Sequence, residues 1–499
     1  MSVLLGIDLG TSSVKSMLLD SESRRIAVEA ASYDVDIPET GYAEQQPELW
    51  WASLIKTLQQ LNVKNSEMFE KISAISLSGQ MHGAVLVNEA GIPLRPAILW
   101  LDQRATEQLK EIERRLDVQT MGKVFGNRVV AGFAFPSLLW LKKHEPETLE
   151  HAAALLMPKD YIRLKLTGKI GCEVTDASAT DLFYIADRTW AWKIIREFGL
   201  PERIFRETHE STELAGFITS ECEKECGLRA GIPVFYGCGD QMAQSIGNGV
   251  CHEGAVISNI GTGGQISAYI KNAVYDRKLR THTFCHAVDK AYTIYGATLC
   301  SGLSLRWFKD KILHVKSFDE MSGLAAKVKA GSGGVIFLPY LTGERTPHMD
   351  PDAKGAFFGL SLDQDRASMV RAVMEGVTFS LKDSLTIFQD LGIECDQIIA
   401  SGGGSQSDIW LQIQADIYNR EVKVCTVSEQ ACLGACILAG VGSGVLQDVQ
   451  EGIDRFVSFR ERHYFPVKEH VEIYEQQYEI FQALYPAIKQ AMHPIKHND

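Results

Sequence analysis

The tetrapeptide Asp8-Leu9-Gly10-Thr11 recurs half a chain later as Asn259-Ile260-Gly261-Thr262, and each copy stands between two apolar runs. Residues 3–7 and 14–19 flank the first copy; residues 255–257 and 266–270 flank the second. Short runs of β-branched and aliphatic residues on either side of a glycine-hydroxyl segment spell two buried strands joined by a tight turn. A chain that writes this hairpin twice predicts a duplicated fold, and 499 residues is more than one core serves. At each turn the backbone N–H groups of small residues can converge on one point, and only small residues let a polyphosphate approach the main chain. The Asp8 carboxylate cannot bind phosphate, but it can hold a hard cation such as Mg²⁺ that bridges to phosphate.

A net charge of −13 would repel a phosphodiester backbone and excludes general nucleic-acid binding. An anionic nucleotide in a cleft remains open to it, because backbone dipoles and a divalent cation act within the ~8 Å screening length of physiological salt. No apolar run reaches the ~18 residues of a membrane span, and the amino terminus opens directly into a strand with no basic, apolar leader. A cytoplasmic chain without a membrane partner is expected. The 11 cysteines are odd in number and scattered, the pattern of reduced thiols rather than of a disulfide framework. Cys222/Cys226 and Cys432/Cys436 have the spacing of helical packing, and His282, Cys285 and His286 lack a fourth ligand, so no zinc site is expected.

Along the chain, Pro47 opens a helix whose buried face is Trp50, Trp51, Leu54, Ile55, Leu58 and Leu61. Between strands at 72–77 and 84–87, Ser78-Gly79-Gln80-Met81-His82-Gly83 is a turn that holds Met81 and His82 out at its tip. The run 97–101 ends in Asp102-Gln103-Arg104, at a strand end where α/β folds gather functional side chains; Asp102 and Arg104 read equally as an internal ion pair. Residues 105–230 are mostly helical by period, jointed at Pro136, Pro146, Pro158 and Pro201. The polar turn 176–181 supports a pocket or caps a helix. A strand at 233–236 runs into Gly237-Cys238-Gly239-Asp240-Gln241 and then a helix. Asp240 in that glycine-lined turn is either a helix cap or a carboxylate exposed to a cleft, and a catalytic role is the reading preferred here. Residues 366–391 form a long amphipathic helix ended by Gly392, a strand at 398–400 runs into Gly402-Gly403-Gly404, and residues 432–445 make a small-residue helix. The triple glycine, between strand and helix, lets a flat base or a phosphate approach the backbone.

Taken together, these stretches resemble the FGGY family of carbohydrate kinases, within the actin/hexokinase/Hsp70 superfamily. The residues that carry the resemblance are 8–11, 79–83, 100–104, 237–241, 261–264, Gly343-Glu344-Arg345-Thr346-Pro347 and 402–404. The Gln80-Met81-His82-Gly83 turn resembles that of xylulokinases, where Met and His contact the ketose; glycerol kinases carry Arg-Glu there. The resemblance implies an α/β, two-lobed actin/hexokinase/Hsp70-like (duplicated ribonuclease H-like) fold, each lobe a mixed five-stranded sheet with helices, and an inter-lobe cleft. Residues 1–250 would form a sugar-binding lobe, 251–445 an ATP-binding lobe, and 446–499 a helical segment packed back on the body. The sugar would meet Met81, His82, Trp100, Asp102 and Gln241, with Asp240 as catalytic base and Asp8 catalytic through a Mg²⁺ held by way of water. ATP would meet Thr11, Ser12, Gly261 and Thr262 at its phosphates, and Gly302, Arg306, Gly403, Gly404 and Ser407 at base and ribose. The activity implied is ATP-dependent phosphorylation of a ketopentose, D-xylulose to D-xylulose 5-phosphate, in a cytoplasmic enzyme of a family that commonly forms homodimers. Other ketoses or polyols (ribulose, deoxyxylulose, erythrulose, glycerol), or a sugar sensor without turnover, are the alternatives. Two departures stand out: Gly263 where the family's second phosphate loop usually carries Ser, and Ser407 where glycerol kinases carry Asn.

Overall fold

The computed structural model describes residues 2–493; Met1 and residues 494–499, the end of the expected C-terminal segment, lie outside the described residues. The first sheet is built on β1 (Val3–Leu9), β2 (Ser13–Asp20), β3 (Ile26–Ser32), β4 (Ile72–Gly79) and β5 (Pro233–Phe235). The second is built on β6 (Gly254–Ile260), β7 (Gly264–Ile270), β8 (Tyr292–Thr298), β9 (Cys395–Gly402) and β10 (Glu421–Val424). In the first sheet the order is β3-β2-β1-β4-β5, in the second β8-β7-β6-β9-β10. Both begin with an antiparallel meander and continue with two parallel strands. The duplication therefore extends from turn chemistry to topology.

It reaches the register too. Asp8 stands beside Ser78, and Gly79 follows at the end of β4; Asn259 stands beside Ser401, and Gly402 follows at the end of β9. Each lobe thus brings a hairpin turn and a glycine-ended parallel strand to the same edge of its sheet. The five strands implied per lobe are present, and short additions extend them. Leu214–Phe217 and Cys238–Gly239 make the first sheet seven-stranded, and His282–Cys285 makes the second six-stranded. Segments of two to four residues are too short to show a period in sequence.

The helices are α1 (Pro47–Lys64), α2 (Pro158–Thr167), α3 (Asp240–Gly247), α4 (Gly302–Trp307), α5 (Arg366–Asp390), α6 (Asp408–Tyr418), α7 (Gln430–Gly442) and α8 (Lys468–Met492), with shorter ones between. Pro47 opens α1 and Trp50, Leu54, Leu58 and Leu61 are its buried face; Gly392, at φ 76°, follows the end of α5. The region 105–230 is less helical than its period suggests, because two- and three-residue strands such as Ala154–Leu156 and Cys172–Glu173 interrupt it. Although α7 belongs to the second half by sequence, it packs on β1 and β4 of the first sheet and against α3. A Cβ on Gly434 would lie 2.0 Å from the Ala243 carbonyl oxygen, so the α7–α3 contact exists only because that residue is glycine. The described part of α8 packs on the body: its Tyr474 donates to Glu375 of α5 at 2.6 Å, and Tyr478 to Asp383 at 2.6 Å. Among the described residues no helix is long and apolar enough to cross a membrane, no cluster of His, Cys, Asp or Glu is fit to hold a metal ion by itself, and all cysteines are free.

Candidate active site

Two cavities meet at the second hairpin turn. A cavity of about 270 Å³ is lined from the first half by Thr11, Met81, His82, Trp100, Asp240 and Gln241, and from the second by Asn259, Gly263, Gly264, Tyr295 and Arg345. A second, of about 460 Å³, is lined by Gly261, Thr262, Gly302, Arg306, Gly403, Gly404 and Ser407. Loop 259–264 is thus the wall between them, its residues divided between the two sides.

Asp240 is the first residue of α3, with Gly239 in the cap position, so the capping alternative does not account for it. Burial, and then the neighbouring Asp8 charge, push its carboxyl up to about 7. Asp8 accepts a hydrogen bond from Ser78 Oγ at 2.7 Å; burial raises its pKa, against the opposing pull of Ser78 and Lys15. Two carboxylates that resist ionisation together suit a divalent cation, and Mg²⁺ takes one or two protein carboxylates and leaves its remaining positions to water and phosphate. The residues present fit that ion.

His82 and Met81 are not held out at an open tip. Phe133 and Ala179 fold over the turn: the His82 ring stacks on Phe133 with centroids 3.7 Å apart, and Met81 is buried against Gly239. His82 Nδ1 lies 2.7 Å from the Ala179 carbonyl oxygen. That oxygen only accepts, so the proton sits on Nδ1 and Nε2 is left as an acceptor for a hydroxyl. Burial, reinforced by the charge of Arg345, lowers the imidazole to about 4 and keeps it neutral at physiological pH. Thr11 Oγ1 donates to Gln80 Oε1 at 2.9 Å and accepts from Trp100 Nε1 at 3.0 Å, which fixes the indole as a wall of the cavity.

Two expected site residues lie elsewhere. Asp102 is fully buried, and its oxygens accept from the Ala43 N–H at 2.6 Å and from Arg104 Nε and Nη2 at 2.8–3.0 Å. The ion-pair alternative is the one observed, and Asp102 has no oxygen to spare for a sugar. Ser12 lines neither cavity; its side chain is exposed and its carbonyl accepts from the Tyr33 N–H. The hairpin reverses direction there and turns the serine outward.

The second cavity owes its shape to close backbone approach. A Cβ at Gly302 would sit 2.4 Å from the Gly261 oxygen, and at Gly402 and Gly404 it would strike Asn259 Oδ1 and Ile260. The triple glycine therefore seats the β9–α6 turn on the hairpin. Ser407 caps α6 and lies 2.8 Å from Ser322 Oγ. Phe318, Asp319 and Ser322, from the helix Phe318–Ala325, also line this cavity and carried no signal in the sequence. Arg345, within the 343–347 motif, is a further lining residue whose role its sequence does not announce. Its guanidinium lines the first cavity with no hydrogen-bond or ion-pair partner among the described residues, and its charge acts on His82, His282 and Tyr295. At Gly263 a Cβ would lie 2.8 Å from the Thr298 carbonyl oxygen, a steric reason for the missing serine.

Comparison with known proteins agrees with this geometry. Residues 3–247 match the N-terminal domain, and residues 257–443 the C-terminal domain, of the FGGY family of carbohydrate kinases. The chain is 37% identical over 496 residues to a xylulose kinase of Lactococcus lactis, covering 99% of each. It is also 29% identical to a gluconokinase of Bacillus subtilis, covering 96% of this chain and 95% of that one. The crystal structure of a xylulose kinase from Rhodospirillum rubrum superposes with a TM-score of 0.92 at 26% identity, covering 98% of this chain and 100% of that one.

Proposed function

We propose that this chain, which belongs to the FGGY family of carbohydrate kinases and is an ATP-dependent sugar phosphotransferase, acts on D-xylulose and yields D-xylulose 5-phosphate. The observation that carries this reading is the shared wall: loop 259–264 borders both cavities, and Asp240 lines the first cavity with it. ATP lies in the second cavity, with base and ribose toward Gly302, Arg306, Gly403, Gly404 and Ser407. Its phosphates reach Gly261 and Thr262 and pass toward Thr11. The ketose lies in the first cavity against Trp100, Met81 and Gln241, one hydroxyl donating to His82 Nε2.

The terminal hydroxyl of the ketose gives its proton to Asp240 while its oxygen bonds to the γ-phosphorus and the bond to the departing ADP breaks. A carboxylate poised near pH 7 is ionised often enough to act and basic enough to take the proton. Phosphoryl transfer otherwise asks for positioning and charge neutralisation. Asp8 would hold Mg²⁺, and the ion, when bound, would offset phosphate charge. Closure of the lobes excludes water that would otherwise accept the phosphoryl group. The proposed setting is the cytoplasm, and the proposed assembly, a homodimer, is tested by light scattering.

A coupled ADP-release panel over pentuloses, deoxyketoses, tetruloses, glycerol and gluconate tests the substrate. D-xylulose should exceed every other sugar at least tenfold in kcat/KM, and near-equal rates with ribulose overturn the assignment. The unpaired Arg345 guanidinium would suit a carboxylate and makes gluconate the second reading.

A further inference from the structure

The polar turn 176–181 finds its use beside the catalytic carboxylate, in a buried cluster that lines neither cavity. Lys159, Asp160 and Arg163 of α2 meet Glu173 and Asp176 there, and none of the five is more than 1% exposed. Lys159 Nζ stands 2.9 Å from Asp176, 3.1 Å from Asp160 and 3.2 Å from Glu173, and Arg163 Nη2 lies 3.0 Å from Asp160. Burial, opposed by the Lys159 charge and reinforced by Glu173 and Asp160, raises the pKa of Asp176. Buried ion networks of this kind are seldom better for stability than apolar packing of equal volume. Their value here is direction.

Glu173 accepts from the backbone N–H groups of Thr175 at 2.7 Å and Asp176 at 2.8 Å, and from Thr175 Oγ1 at 2.6 Å. With its only hydrogen committed to that carboxylate, the Thr175 hydroxyl can present only lone pairs elsewhere. The Gly239 N–H donates to it at 2.8 Å. Gly239 is the cap of α3 and the residue before Asp240, and it pairs with Gly79 in the sheet. It has no slack: a Cβ on Gly239 would meet Met81 at 2.6 Å, and one on Gly79 would meet Lys159 at 2.9 Å.

We propose that Thr175, oriented by the Lys159–Glu173 pair, is a positioning residue that fixes the first turn of α3 and so aims Asp240 at the acceptor hydroxyl. The proposal rests on Asp240 being the base. Thr175→Val keeps the shape and removes the acceptor. It should lower kcat about 10- to 100-fold, the scale of a misplacement of about 1 Å, while KM for ATP and for the best sugar of the panel stays within about twofold. Thr175→Ser, which restores the hydroxyl, should return kcat to within about threefold of wild type. Should the valine variant not fold, Thr175→Ala carries the same comparison. A kcat within twofold of wild type in the variant lacking the hydroxyl, a loss that appears equally in KM, or no rescue by serine overturns the proposal. Asp240→Asn separates the two claims: if it is inactive while removal of the Thr175 hydroxyl changes nothing, only the positioning role falls; if it keeps near-normal kcat, the base reading falls.

Discussion

Replacing Asp240 by asparagine removes a charge that the fold resists and the reaction uses, so stability and activity should move in opposite directions. In the unfolded chain this carboxyl ionises near its ordinary 3.8, whereas in the folded protein burial and Asp8 push it up to about 7. Between those values the native state holds a proton that the unfolded state releases, so native stability falls as pH rises from 4 to 7 and is level above. At about 1.4 kcal/mol per pH unit, the gap sets a ceiling of about 4 kcal/mol on that loss. The Asp240 side chain is only partly buried and lines the first cavity, which leaves roughly 1–3 kcal/mol after screening. The amide of the Asp240→Asn variant cannot ionise and escapes the whole effect. The variant should therefore melt no higher than wild type near pH 4, and several degrees higher at pH 7 and above. Its kcat should fall by about 10²–10⁴, the usual contribution of a general base. Calorimetric melts at pH 4, 5, 6, 7 and 8, run beside ADP-release assays on the same preparations, measure both. A melting difference that does not change with pH, or a kcat above about a tenth of wild type, refutes the reasoning.

His82→Ala removes the acceptor at Nε2 and should raise the sugar KM about tenfold with the ATP KM unchanged, roughly the cost of one lost buried hydrogen bond. Because the wild-type imidazole is neutral above about pH 5, sugar KM should not follow a histidine titration between pH 6 and 8, and a His82-dependent inflection there would contradict the lowered pKa. Gly263→Ser restores the hydroxyl common in the family but drives a Cβ to 2.8 Å from the Thr298 oxygen; ATP KM in the coupled assay should rise several-fold, and a fall would show that the lost hydroxyl matters more than the fit. Gly434→Ala places a Cβ 2.0 Å from the Ala243 oxygen and should cost about 3 kcal/mol by forcing α7 off α3; an unchanged melting temperature would mean that the two helices separate freely.

Much of the site was legible because it is made of turns. A residue such as Gly261 or Gly402 is constrained by its own backbone and by what must approach it, and that constraint is written locally, as is the strand-to-helix position of Asp240. Asp102 shows the limit of such reading: its place at a strand end fitted a ligand and an ion pair equally, and the choice fell to Arg104 and the Ala43 N–H, which only the folded chain brings to its oxygens. Met81 and His82 were found as a motif but misjudged in exposure, since nothing near residue 80 announces that Phe133 and Ala179 will cover them.

What the sequence by itself determined was the repeated hairpin, the glycine-ended strands and the acid at the head of α3, because each depends on residues adjacent along the chain. The folded chain alone decided that Arg345, Phe133 and Tyr295 line the cavity the two hairpins share, and that Thr175 reaches Gly239. In sequence a Phe or Tyr that lines a site looks the same as one that fills a core, and a buried charge looks like a surface one. Which it becomes depends on packing between segments that lie tens to hundreds of residues apart.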